Sequence, residues 1–400
     1  MKDNYYFDNA ATTWPKPESV YRFMDSFFRS HGVNPGRSGS ELALEAEQMI
    51  FSTRRLLAEF FGFSGDPNRV VFTLNATDSL NMALRGLLQQ GDHLVISALE
   101  HNAVLRTANH LERDFGVAVS RVAPDANGYI EPAQFESVIT PATKAIVLNH
   151  ASNVAGTVQD IQSVAEIANR HGVAFIVDTA QTAGVLPVDM SCGIDVLTFT
   201  GHKGLFGPMG VGGMIVGEDI NLKPMRFGGT GVDSASPFQP EGYPHALEAG
   251  TLSMPGVAGL NAAQQWFAEL GGQIQSTDNS HQALCRAALE HIHHTEMSHA
   301  ERIWTHLAEL NKVNTLGTLS DGEHIAVVSF TVEEIPAQQV AEMLDADYHI
   351  CARAGLQCAP GVHDTFNTTA IGGAVRISPG YFTEQTDVDH LLASLTELLG

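Results

Sequence analysis

Apolar positions fall at helical spacing over residues 18–30 and 41–61, and Gly32 stops the first of these stretches. Residues 5–17 before them read as an extended arm, because Pro15 and Pro17 exclude a helix there. Asn34-Pro35-Gly36-Arg37-Ser38-Gly39 is a turn-rich loop. From residue 70 onward, short apolar runs alternate with amphipathic ones. The runs predict strands over 70–74, 93–97, 117–122, 145–149, 173–178, 196–200 and 213–216, with helices over 78–89, 103–115 and 161–171. Buried β-rich runs separated by helices imply an α/β fold, a parallel or mostly parallel sheet covered on both faces. Ligands of such sheets sit beyond the carboxyl ends of the strands.

After Gly256 the pattern changes to long helical stretches over 258–270 and 281–310. A strand over 325–330, a helix over 336–344, a strand over 374–378 and a terminal helix over 387–399 follow. This is an α+β pattern, and 400 residues exceed what one compact core usually holds. The expected division is a large domain over 16–260 and a smaller one formed by 1–15 with 261–400. The histidine-rich run from His291 to His299 reads as a solvated helix face, with no metal site expected.

Charge narrows the possible partners. With 45 acidic against 22 basic residues, the net charge is −23. That excludes a basic footprint for nucleic acid and disfavours docking on an anionic membrane. Cys192, Cys285, Cys351 and Cys358 form no C-x-x-C pair and lack histidines at zinc-ligand spacing. So few cysteines in a long chain fit a reducing, cytoplasmic setting. The opening Met1-Lys2-Asp3-Asn4-Tyr5 has no apolar core of a secretory signal, and no run reaches the ~20 apolar residues of a membrane span.

The strongest chemical signal is Thr198-Phe199-Thr200-Gly201-His202-Lys203, followed by Gly204-Leu205-Phe206-Gly207-Pro208. A lysine just past a buried strand, in a glycine-rich turn, is desolvated, which favours the free amine that forms an imine. Taken alone it leaves the question open, because a surface loop is the commoner place for a lysine. Asp178 stands 25 positions earlier, at the end of the apolar run Ile176-Val177. A carboxylate there needs a partner, which a protonated pyridine nitrogen such as that of pyridoxal phosphate (PLP) supplies. A helix N-cap is the plainer role. Arg376, between Val375 and Ile377, is a planar cation in an apparent strand, suited to gripping a carboxylate.

From Tyr6-Phe7-Asp8-Asn9-Ala10-Ala11-Thr12 to Val375-Arg376-Ile377-Ser378, these motifs fall in one order over nearly the whole chain. In that order they resemble the class-V (fold type I) PLP-dependent aminotransferase family, and within it the cysteine desulfurase and selenocysteine lyase group. The resemblance implies a large domain with a mostly parallel seven-stranded sheet and a smaller α+β C-terminal domain. It implies PLP held as a Schiff base on Lys203, with Asp178 on the ring nitrogen. His101 would stack on the ring and relay protons. Ala76 and Thr77, opening a helix, would hold the phosphate with Thr200 and His202. Asn153 and Gln181 would meet the ring hydroxyl. Asn153, Ala11 and Arg376 would bind the substrate, with Arg376 on its carboxylate. Thr251 matches a residue that reaches the phosphate of the other subunit, which implies a homodimer with shared sites.

Arg353-Ala354-Gly355-Leu356-Gln357-Cys358-Ala359 resembles the group's R-x-G-x-x-C-A loop. It implies that Cys358 takes the sulfur of L-cysteine as a persulfide, leaving L-alanine, and passes it to an acceptor protein or a small thiol. Three departures stand out. Asn102 replaces a second histidine, Asn34-Pro35-Gly36-Arg37 lacks flanking histidines, and Leu356-Gln357 stands where others carry His-His. They leave the choice between sulfur and selenium open, with selenocysteine lyase or another class-V transamination or β-lyase reaction as the alternatives. A Rossmann oxidoreductase is disfavoured, since Leu74-Asn75-Ala76-Thr77 stands where G-x-G-x-x-G belongs.

Overall fold

The structure, a computed structural model, describes residues 4–35, 40–274, 277–319 and 322–400. Residues 1–3 of the opening segment and 36–39 of the turn-rich loop lie outside the described residues. The chain opens with β1 (Tyr5–Tyr6), α1 (Glu18–His31) and α2 (Glu41–Phe60). Then come β2 (Val70–Thr73), α3 (Ala76–Leu87), β3 (His93–Ser97), α4 (Asn102–Phe115) and β4 (Ala118–Val122). α5 (Ala133–Ser137), β5 (Thr143–Asn149), α6 (Ile161–His171), β6 (Ala174–Asp178), β7 (Val196–Thr200) and β8 (Gly212–Val216) complete the first half. The second half runs α7 (Met254–Ile274), α8 (His281–Glu309), β9 (Val313–Thr315), β10 (Val328–Val332), α9 (Ala337–Tyr348), β11 (Ile350–Cys351), β12 (Arg353–Gly355), α10 (Pro360–Thr365), β13 (Ala374–Ile377) and α11 (Gln385–Leu399).

The large sheet has seven strands in the order β2-β8-β7-β6-β5-β3-β4. β7, β6, β5, β3 and β4 are parallel, and β8 runs against both of its neighbours. β8 reverses because only residues 201–211 separate it from β7, too few for a helical crossover. Side chains alternate between the two faces. Phe175 and Val177 of β6 join Phe60, Phe61 and Phe267 on one side. Ala174 and Ile176 join Leu80, Leu84, Val104 and Leu111 of α3 and α4 on the other. Both faces being covered, β3, β6, β7 and β8 are buried throughout, as the unbroken apolar runs predict.

The second sheet, β12-β13-β10-β9, is antiparallel. Its core of Phe330, Val340, Ile377 and Leu391 also takes in Phe7 from the N-terminal arm. Side chains of α7 and the first half of α8, including Phe267, Cys285 and Ile292, share the core under the large sheet. The strand expected at 325–330 begins instead at Val328. Ile325 and Val327 pack with Ala10, Ala151 and Val185, so this apolar run serves two cores. β1, β9, β11, β12, α5 and α10 are too short to leave a periodic signal. Among the described residues, no helix is long and apolar enough to cross a membrane, and no group of three or more His, Cys, Asp and Glu is placed to hold a metal ion.

The histidine-rich run needs correction. His291 and His294 are exposed, but Ile292, Glu296, His299 and Ile303 form a buried stripe of α8. Burial pushes the Glu296 carboxyl up to about 8, opposed only by a backbone hydrogen bond from Tyr381. Folding therefore binds a proton at Glu296 between the ordinary carboxyl pKa of 4.5 and about 8, so this group lowers stability as pH rises through that window. Glu296→Gln is expected to raise the thermal midpoint by about 2 °C or more at pH 8 and to change it little at pH 5. Unfolding scans of both proteins at the two pH values check this, and an equal shift at both would refute it.

Candidate active site

Asn149, Asp178 and Thr200 end the parallel strands β5, β6 and β7, and His101 follows β3 by a short turn. Together with the start of α3 and the β12–α10 turn they wall a cavity of about 320 Å³. Ala11, Ala76, Thr77, His101, Asn153, Asp178, Gln181, Thr200, His202, Lys203, Cys358 and Arg376 all line it. Thr251 does not line the cavity and is exposed on the surface.

The Lys203 turn is held from several sides. Phe206 N–H donates to the Lys203 carbonyl (2.8 Å), and Gly207 N–H to that of Gly201 (2.7 Å). From the N-terminal arm, the Thr13 hydroxyl donates to the Lys203 carbonyl (3.0 Å), and Thr12 and Lys16 donate to that of His202 (3.1 and 3.0 Å). Gly184, at φ +89, lets the neighbouring turn approach: a Cβ there would lie 2.1 Å from the backbone of Gly204. Burial pulls the Lys203 amine down to about 8, with Asp178 opposing and Arg376 reinforcing the shift.

Asp178 is buried, and that burial pushes its carboxyl up, opposed by the Ala180 N–H (2.9 Å) and the charge of Lys203. It caps a local turn rather than a helix, so its charge still wants a cationic partner. Beneath it lies Glu100, pushed up to about 8 by burial, whose Oε1 accepts from the Ser97 hydroxyl (2.6 Å) and Asn149 N–H (2.9 Å). His101 N-caps α4: its Nδ1 accepts from Ala103 N–H (3.1 Å), which assigns the ring proton to Nε2. Burial, then Lys203 and Arg106, pull it down to about 4, so the imidazole is neutral at pH 7. His202 is held down to about 4 by burial and by Lys203 and Lys16.

Several buried polar atoms around the cavity lack a hydrogen-bond partner among the described residues: Thr200 Oγ1, His202 Nδ1, Asn153 Oδ1 and Arg376 Nε. Folded proteins rarely leave such atoms unpaired, so this set marks the outline of a polar ligand. The α3 N-terminus adds backbone donors. Asn75 caps it through Asp78 N–H (3.0 Å), leaving the N–H groups of Ala76 and Thr77 for an anion. Arg226 balances Asp78 from 3.2 Å.

Arg376 is 3% exposed. One terminal nitrogen donates to the Asn153 carbonyl (2.9 Å), the other to Asp8 Oδ1 (2.6 Å). Cys358 is exposed, in a turn where both Gln357 (φ 41) and Cys358 (φ 60) are left-handed. The turn is fastened at three points. Asn102 N–H donates to the Cys358 carbonyl (2.7 Å), Asn153 Nδ2 to the Gln357 carbonyl (2.6 Å), and Gln357 Nε2 to the Ala374 carbonyl (2.8 Å). One departure from the desulfurase pattern, Gln357, thus anchors the cysteine turn through its side chain, whereas Asn102 contributes only its backbone N–H.

Sequence reasoning assigned no role to Asn149, Arg353 and Gln357, which also line the cavity. Arg353 pairs opposite Arg376 across β12 and β13. Its only signal was the arginine that opens the Cys358 motif. Gln357 showed only as a departure from the cysteine-loop pattern, and Asn149 left no signal, since a strand end carries no spacing of its own.

Comparison with known proteins bears on the family and the fold. Residues 5–391 match the family model described as aminotransferase class-V. A probable cysteine desulfurase of Methanothermobacter thermautotrophicus is 30% identical over 407 residues, covering 100% of this chain and 96% of that protein. The apo structure of the cysteine desulfurase of Thermococcus onnurineus NA1 superposes with a TM-score of 0.88 at 29% identity, covering 99% of this chain and 95% of that one. The Escherichia coli cysteine desulfurase CsdA, solved in an S-sulfonic acid form, gives 0.84 at 26% identity, covering 100% and 96%. With strand-end lysine, aspartate, histidine and cysteine on one cavity, and matches of this length, the chain belongs to the class-V aminotransferase family, a PLP-dependent family, and within it to the cysteine desulfurase group.

Proposed function

We propose that the protein is a PLP-dependent cysteine desulfurase that converts L-cysteine to L-alanine and takes the sulfur onto Cys358 as a persulfide. The observation that carries this is the placing of Cys358, Lys203 and Arg376 on one cavity. The polar atoms left unpaired there fit the cofactor. Ala76 and Thr77 N–H groups, Thr200 and His202 suit its phosphate, Asp178 its ring nitrogen, and Asn153 and Gln181 its ring hydroxyl. The neutral His101 suits its ring face, and Lys203 its aldehyde. Bound there, the group supplies an electron sink for the substrate's α-carbon.

The chain's own residues do the rest. Arg376 orients the substrate carboxylate as a fixed, always charged fork. The Lys203 amine, held near neutrality by burial, takes the α-proton and later returns one. His101 offers Nε2–H to the same space. The Cys358 thiolate attacks the substrate sulfur: the S–S bond forms as the Cβ–S bond breaks, and the electron pair of that bond stays with carbon. Of the two thiol protons, one ends on Cβ and one on the persulfide, so alanine and Cys358–S–SH balance cysteine and Cys358–SH.

A homodimer sharing its sites belongs to the same proposal. Thr251 is exposed, and Leu74, Met209, Phe227 and Phe238 are exposed apolar residues. Leu74 precedes the α3 N-terminus and Phe227 follows Arg226, which pairs with Asp78 of α3, so part of this apolar surface rims the phosphate end. An exposed Cys358 can hand its sulfur to an acceptor protein or a small thiol. Incubation of the holoenzyme with L-cysteine, and in parallel with L-selenocysteine, tests the function. The expected result is alanine, with one added sulfur on the peptide bearing Cys358 when cysteine is used. Pyruvate in place of alanine would sink the proposal.

A further inference from the structure

We propose that Asp8 is a positioning residue for substrate recognition, holding the Arg376 guanidinium in its cavity-facing pose before any substrate arrives. The inference rests on the reading of Arg376 as the carboxylate-binding residue.

A guanidinium 3% exposed is costly to bury without an opposite charge. Asp8 supplies that charge at 2.6 Å, and its own side chain is 15% exposed. The Asn153 carbonyl fixes the other terminal nitrogen at 2.9 Å. Two of the three nitrogens are thus engaged by the protein, while Nε is buried and unpaired among the described residues. The incoming carboxylate therefore meets a guanidinium whose orientation is already set, with a donor to spare.

The placement of Asp8 is itself built. Its neighbours bond the strand end two residues beyond Arg376: Ser378 N–H donates to the Phe7 carbonyl (2.7 Å), and Asn9 N–H to the Ser378 carbonyl (3.2 Å). Ala10 N–H donates to the Ser378 hydroxyl (3.0 Å), and the Tyr6 hydroxyl to the Asp8 carbonyl (3.1 Å). The arm runs as an added parallel partner to the end of β13, which fixes the Asp8 carboxylate beside Arg376. An arginine loses much rotamer freedom when it binds, and ordering it beforehand leaves more of the interaction for the substrate.

The test uses the holoenzyme and two inhibitors that each lack one handle. 3-Mercaptopropionate has thiol and carboxylate but no amine, and cysteamine has thiol and amine but no carboxylate. Asp8→Ala is expected to raise KM for L-cysteine and Ki for 3-mercaptopropionate by about tenfold to a hundredfold, with kcat within threefold and cysteamine inhibition unchanged. Asp8→Asn, which keeps an oxygen acceptor in place but loses the charge, is expected to fall between the parent and the alanine variant for L-cysteine and 3-mercaptopropionate, with cysteamine inhibition unchanged. Should alanine leave no folded protein, Asp8→Ser, whose oxygen stops short of the guanidinium, is expected to behave as the alanine variant would. Unchanged or tighter 3-mercaptopropionate binding in the alanine or serine variant overturns the inference, as does equal weakening of cysteamine. A loss in Asp8→Asn as large as in the alanine variant also overturns it. Arg376→Gln separates the two readings. If that change leaves 3-mercaptopropionate binding intact, the role of Arg376 fails. If it weakens binding while Asp8→Ala does not, only the role of Asp8 fails.

Discussion

A Lys203→Ala protein is expected to lose the long-wavelength absorbance that a covalent link to the lysine gives the cofactor, and to lose activity on L-cysteine by about a thousandfold or more. The magnitude follows from two roles falling on one side chain, attachment and proton transfer, which no other group on the cavity can take over. His101 is the nearest candidate, but it is held near 4 by burial and spends Nδ1 on the α4 cap. The parent should show a further signature. Because burial draws the amine down to about 8, covalent uptake of PLP by the apo protein should quicken from pH 7 to about 8 and then level, as the neutral amine comes to dominate. Uptake followed by absorbance checks both statements. A variant that kept the visible band, or a parent whose uptake rose steeply between pH 9 and 11 as for an exposed lysine, would move the cofactor off this residue.

Cys358→Ala is expected to keep the cofactor spectrum and the fold while sulfur transfer from L-cysteine falls by about a hundredfold or more. The fold should survive because the thiol is exposed and the turn is anchored by backbone and by Gln357, not by the cysteine side chain. Alanine tolerates the left-handed φ of 60 no worse than cysteine. Selenocysteine should be the more forgiving substrate, since selenium can leave without a thiol to receive it. Alanine formation from each substrate measures the split. Undiminished turnover of L-cysteine would mean another group accepts the sulfur. None of the three remaining cysteines offers itself: burial pushes Cys285 up to about 12 and pushes Cys192 and Cys351 upward as well.

The same cavity shows how far a carboxyl or amine departs from its ordinary behaviour when water is removed. Lys203 and Asp178 face each other's charge, and each softens the shift that burial imposes on the other. Glu100 is driven to about 8 by burial, with the charge of Asp178 adding to the rise. A second buried carboxyl that stays protonated adds no negative charge beside Asp178.

Much of this was legible along the chain. Unbroken apolar runs at 93–97, 173–178 and 196–200 identified buried parallel strands, and the polar residues at their ends identified the reactive edge. Lys203, Asp178 and Cys358 could be picked out because each carries chemistry in a recognisable local setting. The parts that stayed hidden share one property. The Asp8–Arg376 pair joins residues 368 positions apart, and Asn153 reaches the Gln357 carbonyl across 204. His299 and Glu296 looked like part of a solvated face because their burial depends on what packs over α8.

Local pattern decides which elements form and which side chains have reactive groups, because hydrophobic period and residue type are properties of neighbours in the chain. Whether an amine is neutral, which polar atoms are left wanting a ligand, and which arginine is already held in place are decided only by the tertiary structure. Those depend on the water excluded and the charges brought close when distant segments meet.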